Sequence, residues 1–165
     1  MTKLIKHVFY VAVLFSTAMS SGSAAEPSLC SPKESVIFSC STAASKVIAL
    51  CMDEHTQLIT YRYGKPQKIE LSYSARQESE KGFFYNHYFR ASVDYLRVAF
   101  STAGYEYSIF RNYDATEAAL ASYGVAVSRN GNDKAQINCH SRVVDNMTKI
   151  IKHLKCDNSS ALGCS

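Results

Sequence analysis

The stretch Leu58–Tyr73, LITYRYGKPQKIELSY, decides the architecture. Leu58, Thr60 and Arg62 fall on one face of an extended chain, and Ile59, Tyr61 and Tyr63 on the other. Gly64-Lys65-Pro66 supplies a turn, after which Ile69, Leu71 and Tyr73 share a face again. Period two, interrupted by turn residues, predicts an antiparallel hairpin. Upstream, SVIFSC (Ser35–Cys40) and KVIALC (Lys46–Cys51) are short, rich in β-branched residues and separated by STAAS. These four segments read as a meander.

The same pattern continues downstream. ARQESEKG is the most polar stretch and reads as a solvated loop before FFYNHYF, whose aromatics Phe83, Phe84, Tyr85, Tyr88 and Phe89 suit a strand packed on the core. YLRVAF places Leu96, Val98 and Phe100 on one face, and after STAG the segment YEYSIF places Tyr105, Tyr107 and Ile109 on one face. YGVAVS and KAQINC bracket Arg129-Asn130-Gly131-Asn132-Asp133, where Asn-Gly is a strong hairpin signal. Eight or nine short strands predict an antiparallel β-sandwich or barrel. Near the C-terminus the period changes: Val143, Val144, Met147, Ile150, Ile151 and Leu154 form the stripe of an amphipathic helix over about 142–155. Asp145 near its start and Lys152, His153 and Lys155 near its end suit the helix dipole.

At the N-terminus, Lys3 and Lys6 precede an apolar run from about Val8 to Met19 and a small-residue segment ending in Ser23-Ala24-Ala25. That order predicts a secretory signal peptide, residues 1–25, cleaved after Ala25, leaving one domain over 26–165. The apolar run is shorter than the roughly 20 residues of a membrane-spanning helix, so no membrane anchor is expected. Loss of Lys3 and Lys6 lowers the basic count from 18 to 16 against 14 acids, a net charge near +2. No basic cluster points to nucleic acid.

All six cysteines, Cys30, Cys40, Cys51, Cys139, Cys156 and Cys164, follow the predicted cleavage site. An even count in an exported chain predicts disulfides, and the 15 possible pairings stay open. Three cysteines fall early and three late, so full pairing requires at least one bridge between the two ends. Their wide spacing argues against a metal centre.

Motifs that carry chemistry at fixed spacing, G-x-S-x-G, H-E-x-x-H, a phosphate-cradling glycine loop and S-x-x-K, are absent from the sequence. Asp53-Glu54-His55 reads as a polar connection between the second and third strands. Cys139-His140 would need a free thiol to act as a nucleophile pair, and a structural disulfide is the expected state. Glu70, Glu78 and Glu80 offer carboxylate pairs of the kind glycosidases use, as does any exported β-protein. Asn146-Met147-Thr148 and Asn158-Ser159-Ser160 match the glycosylation pattern, relevant only in a eukaryotic source. The expectation is a protein without enzymatic activity or cofactor.

Taken in order, ESVIFSC, KVIALC, LITYRYGKPQKIELSY, YLRVAF with a GxxY loop, YGVAV and INC resemble small exported bacterial β-proteins that include the periplasmic inhibitors of invertebrate-type lysozyme. The resemblance spans about Cys30 to Cys139. It implies an antiparallel β-sandwich, often a homodimer, that blocks a lysozyme by inserting a loop into its catalytic cleft. The family's motif in that loop is S-G-x-x-Y, whose serine and tyrosine hydroxyls meet the enzyme's catalytic groups. The matching residues are Ala103-Gly104-Tyr105-Glu106-Tyr107, with Ala103 in place of the serine. The partner-binding residues so implied are Ser101, Thr102, Ala103, Gly104 and Tyr107. One lost hydrogen bond to a charged group, worth about 1.5–3 kcal/mol, would weaken binding roughly 10- to 150-fold unless Ser101 or Thr102 compensates. An exported β-module with another binding role, using the aromatics of 83–89, is the alternative.

Overall fold

A computed structural model of the chain describes residues 28–76, 79–117 and 120–165. The predicted leader, residues 1–25, lies outside the described residues, as does Glu78. Among the described residues no helix is long and apolar enough to cross a membrane.

Among the described residues the protein is mainly β, with ten strands where about eight were expected. In chain order they are β1 (Ser35–Thr42), β2 (Val47–Asp53), β3 (Leu58–Lys65), β4 (Lys68–Arg76), β5 (Phe84–Arg90), β6 (Val93–Thr102), β7 (Tyr105–Asp114), β8 (Ser122–Arg129), β9 (Asn132–Asp145) and β10 (Lys155–Cys156). They form one sheet in the order β10-β5-β6-β7-β8-β9-β1-β2-β3-β4. Every pairing is antiparallel except the short parallel contact of β10 with β5. The sheet curls into a half-barrel. Tyr61 on β3 lies 4.9 Å from Phe100 on β6, and Tyr73 on β4 stacks on the same ring at 4.5 Å. Each end of the ladder therefore folds back over the other.

β9 makes this curl possible. Its first half pairs with β8, from Arg129↔Asn132 to Gly124↔Asn138, and its second half with β1, from Thr42↔Cys139 to Phe38↔Asp145. Register shifts on β1 and a left-handed residue, Arg142 (φ 53°), mark the second half. Bulges of this kind bend a strand and sharpen its twist. The Cys40–Cys139 bridge ties the two strands at the changeover and is the predicted link between the early and late cysteines. It closes a loop of 99 residues, for which chain entropy gives about 4–5 kcal/mol.

The concave face carries the core: Phe38, Ile48, Leu50, Ile59, Tyr61, Leu96, Val98, Phe100, Ile109 and Val125 are all fully or nearly fully buried. Ile59 and Tyr61, Leu96, Val98 and Phe100, and Ile109 lie on the faces that the alternation grouped together. Burial pushes the Tyr61 phenol strongly upward, so it stays neutral. β2 is buried on both faces. Its outward Val47, Ala49 and Cys51 are covered by Leu29 and Cys30, held there by the Cys30–Cys51 bridge. Glu34 fastens the same segment through a two-pronged contact with Arg62, at 2.7 and 3.0 Å. The third bridge, Cys156–Cys164, closes a tail loop. Three disulfides suit an oxidising environment, extracellular or periplasmic.

The C-terminal helix expected over about 142–155 is replaced by strand and a single turn. β9 runs to Asp145, because Ser39 and Phe38 take Val144 and Asp145 as ladder partners. Asn146 continues the attachment, donating its backbone N–H to Ile37 and its side-chain amide to Val36. Only Thr148–Ile151 (α1) is helical. The apolar stripe is real in its burial, since Met147, Ile150 and Leu154 all reach the core. A bulged strand followed by one helical turn places them there.

Candidate functional site

The β6–β7 hairpin carries the residues implied by the resemblance. Thr102 pairs directly with Tyr105, so the connection is two residues long. Ala103 (φ 51°) and Gly104 (φ 75°) are both left-handed, the signature of a type I′ turn, whose twist matches that of the flanking strands. Nothing lies within 4 Å of where a Cβ on Gly104 would sit, so only its backbone angle requires glycine. Ala103 has no such freedom. A left-handed alanine costs about 1–2 kcal/mol, stored at an exposed position of the turn.

The five residues divide by strand phase. Ser101, Ala103 and Gly104 are exposed. Ser101 faces outward, opposite Glu106, while Thr102 shares the concave side with Tyr105. The two hydroxyls that could replace the missing serine therefore point to opposite faces. Tyr107 is half-buried opposite Phe100, and its ring stacks on Phe100 at 5.1 Å and 9° and approaches Tyr61 at 6.4 Å. Its hydroxyl has no hydrogen-bond partner among the described residues, so the ring belongs to the core while the polar tip is left at the rim.

The loop has a neighbour that the sequence reading did not connect to it. β8 and β9 are joined by Asn130 (φ 51°) and Gly131 (φ 73°), again a two-residue turn with Arg129 opposite Asn132. In an antiparallel meander, turns two connections apart emerge at the same end of the sheet. The guanidinium of Arg129 sits 5.1 Å from the ring centre of Tyr105, joining one tip to the other. The tyrosine nearest the exposed turn is thus Tyr105, braced by a cation. Spacing alone held the signal: a turn after β6 and another after β8 must share an end.

The opposite end of the concave face is closed by charge. Arg111 bridges Asp94 at 2.7 Å and Asp145 at 2.8 Å, and His87 meets Asp94 at 3.0 Å. Burial opposes the Arg111 charge, but the bonds to Asp145 and Asp94 prevail and hold its pKa above the usual arginine value. These groups bond one another and join β5, β6, β7 and β9.

Other candidate groups are occupied structurally. Asp53 accepts the backbone N–H groups of His55 and Thr56 at 2.9 and 3.1 Å, which caps the β2–β3 connection. Cys139 is in a disulfide and cannot pair with His140 as a nucleophile. Glu70 is bonded to Lys46 at 2.7 Å. Cys30, Glu34 and Cys51 come close enough to suggest a metal cluster, but both sulfurs are consumed by their mutual bond and Glu34 by Arg62. The aromatics of 83–89 separate: Phe83 is in the core, whereas Phe89 is 61% exposed. No protein-family model, curated protein or solved structure matches the chain.

Proposed function

We propose that the protein is a non-enzymatic inhibitor of lysozyme, exported to the periplasm or beyond, that docks the β6–β7 tip in the enzyme's catalytic cleft. The observation that carries this reading is the tip itself: a narrow, exposed two-residue turn whose backbone is fixed by twist and whose flanks are anchored in an aromatic stack. A segment already ordered when free loses little conformational freedom on docking. Tyr105 and the rim hydroxyl of Tyr107 supply contact area with polar ends. Arg129 on the adjacent tip favours carboxylates, the groups that line glycosidase clefts.

A turbidity assay with invertebrate-, chicken- and goose-type lysozymes tests it. Inhibition of at least one at micromolar protein is expected, and inhibition of none defeats the reading. Tyr107→Phe keeps the stack on Phe100 and removes only the hydroxyl, so it should weaken inhibition roughly 10-fold without lowering stability. Ala103→Ser should strengthen it by roughly 10- to 150-fold.

A further inference from the structure

The β3–β4 connection is another narrow turn at the same end of the sheet as the β6–β7 tip. Lys65 pairs directly with Lys68, so only Pro66 and Gln67 lie between the strands, and all four residues are exposed. We propose, resting on the lysozyme reading above, that this turn is a second contact prong: it takes a carboxylate of the docked lysozyme between Lys65 and Lys68 while the β6–β7 tip occupies the cleft.

Charge selects the occupant. Lys65 and Lys68 stand directly opposite each other across the hairpin, and like charges so placed lower stability. Among the described residues neither forms an ion pair with a carboxylate. The acids beside the hairpin are already engaged: Glu70 bonds Lys46 at 2.7 Å, and Glu34 holds Arg62 at 2.7 and 3.0 Å. An anion set between the two ammonium groups turns their repulsion into attraction.

A protein fits better than a free anion. Both lysines are exposed, and there a small anion gains little against water and salt. A partner that also covers apolar surface gains more. Such surface lies next in sequence to each lysine: Pro66 and Ile69, the latter 42% exposed, line a groove of about 350 Å³ together with Leu29 and Arg62. Apolar area bordered by charge is the make-up of a protein-binding surface.

The two prongs stand on one base. Tyr61 on β3 approaches Tyr107 on β7 at 6.4 Å, and both rings pack on Phe100. Lys65 lies four residues beyond Tyr61 along β3, and Gly104 three residues from Tyr107 along β7. At about 3.3 Å per residue, both turns project about 10–13 Å past the stack. Facing walls of a folded sheet lie about 10 Å apart, so an enzyme that admits the β6–β7 tip presents the lip of its cleft to the β3–β4 turn.

Surface plasmon resonance tests the prong, with whichever of the invertebrate-, chicken- and goose-type lysozymes the wild-type protein inhibits, at low and at physiological ionic strength. Lys65→Gln/Lys68→Gln should bind about 10-fold more weakly, mostly through slower association, with a flatter salt dependence. Its urea midpoint should be unchanged or higher, because the like-charge pair is gone. Lys149→Gln/Lys152→Gln removes the same charge from α1, beside Glu54 and Gln57 of the β2–β3 connection at the other end of the sheet, and should leave binding within about twofold. Undiminished binding by the Lys65/Lys68 variant, or an equal loss in the α1 variant, overturns the prong and leaves the β6–β7 tip as the docking element. Inhibition of none of the three enzymes by the wild-type protein overturns both.

Discussion

The two hairpin tips at one end of the sheet share a backbone and differ in what occupies it. Both turns have two residues with positive φ at closely similar values. The β8–β9 tip uses Asn130-Gly131, the pair such turns favour, while the β6–β7 tip uses Ala103-Gly104. Asparagine tolerates the left-handed region because its short polar side chain bonds locally, and alanine does not. The β8–β9 tip is relaxed on an exposed sheet, and the β6–β7 tip holds strain above a buried aromatic stack. A strained residue persists only where its surroundings fix it.

The comparison breaks most completely if the stack is removed. Phe100→Ala deletes the ring that Tyr61, Tyr73, Phe83 and Tyr107 all touch and should cost about 3–5 kcal/mol in urea unfolding. Among the described residues the β8–β9 tip has no comparable aromatic stack. Glycine to alanine at the second turn position should affect the tips alike: Gly104→Ala and Gly131→Ala each lose about 1–2 kcal/mol, since both have open space and only the backbone objects. Unequal losses would mean that one tip rearranges.

Exchange of the first turn residues sharpens the difference. Ala103→Asn should raise stability by about 0.5–1 kcal/mol and Asn130→Ala should lower it by a similar amount, read as opposite shifts of the urea midpoint. If both are neutral, Ala103 is not strained. The smallest effect belongs to the link between the tips. Arg129→Ala removes the contact with Tyr105 and should cost about 0.5–1 kcal/mol, detectable as faster amide exchange at both turns.

The strands were legible because alternation survives wherever one face is buried and the other is not. Leu96, Val98 and Phe100, or Tyr105, Tyr107 and Ile109, declare their face without help from the rest of the chain. The closing segment misled for a physical reason. Val143, Val144, Met147 and Ile150 have helical spacing, yet β1 needed a partner for Phe38 and Ser39, and a ladder outweighs the propensity of a few residues. The Asn130-Gly131 turn announced itself, whereas Ala103-Gly104 concealed an identical geometry behind an unfavourable residue. A cavity on the convex face of β6, β7 and β8 was invisible to spacing. Arg97, Asn112, Leu120 and Leu162 come from four separate segments that only the completed topology brings together.

The tail loop closed by Cys156–Cys164 lies along β5, exchanging backbone hydrogen bonds at Tyr85 and His87 through Asp157, Gly163 and Ser165. Asn86 clamps it from the side by donating to the carbonyls of Asp157 and Gly163. β4 ends the other side of the ladder with no further strand beside it among the described residues. A sheet with one margin stoppered and one open can accept a single added strand but cannot pass the favour on. The short loop closed by Cys156–Cys164 covers the β5 margin, one of the ways in which proteins blunt a sheet edge.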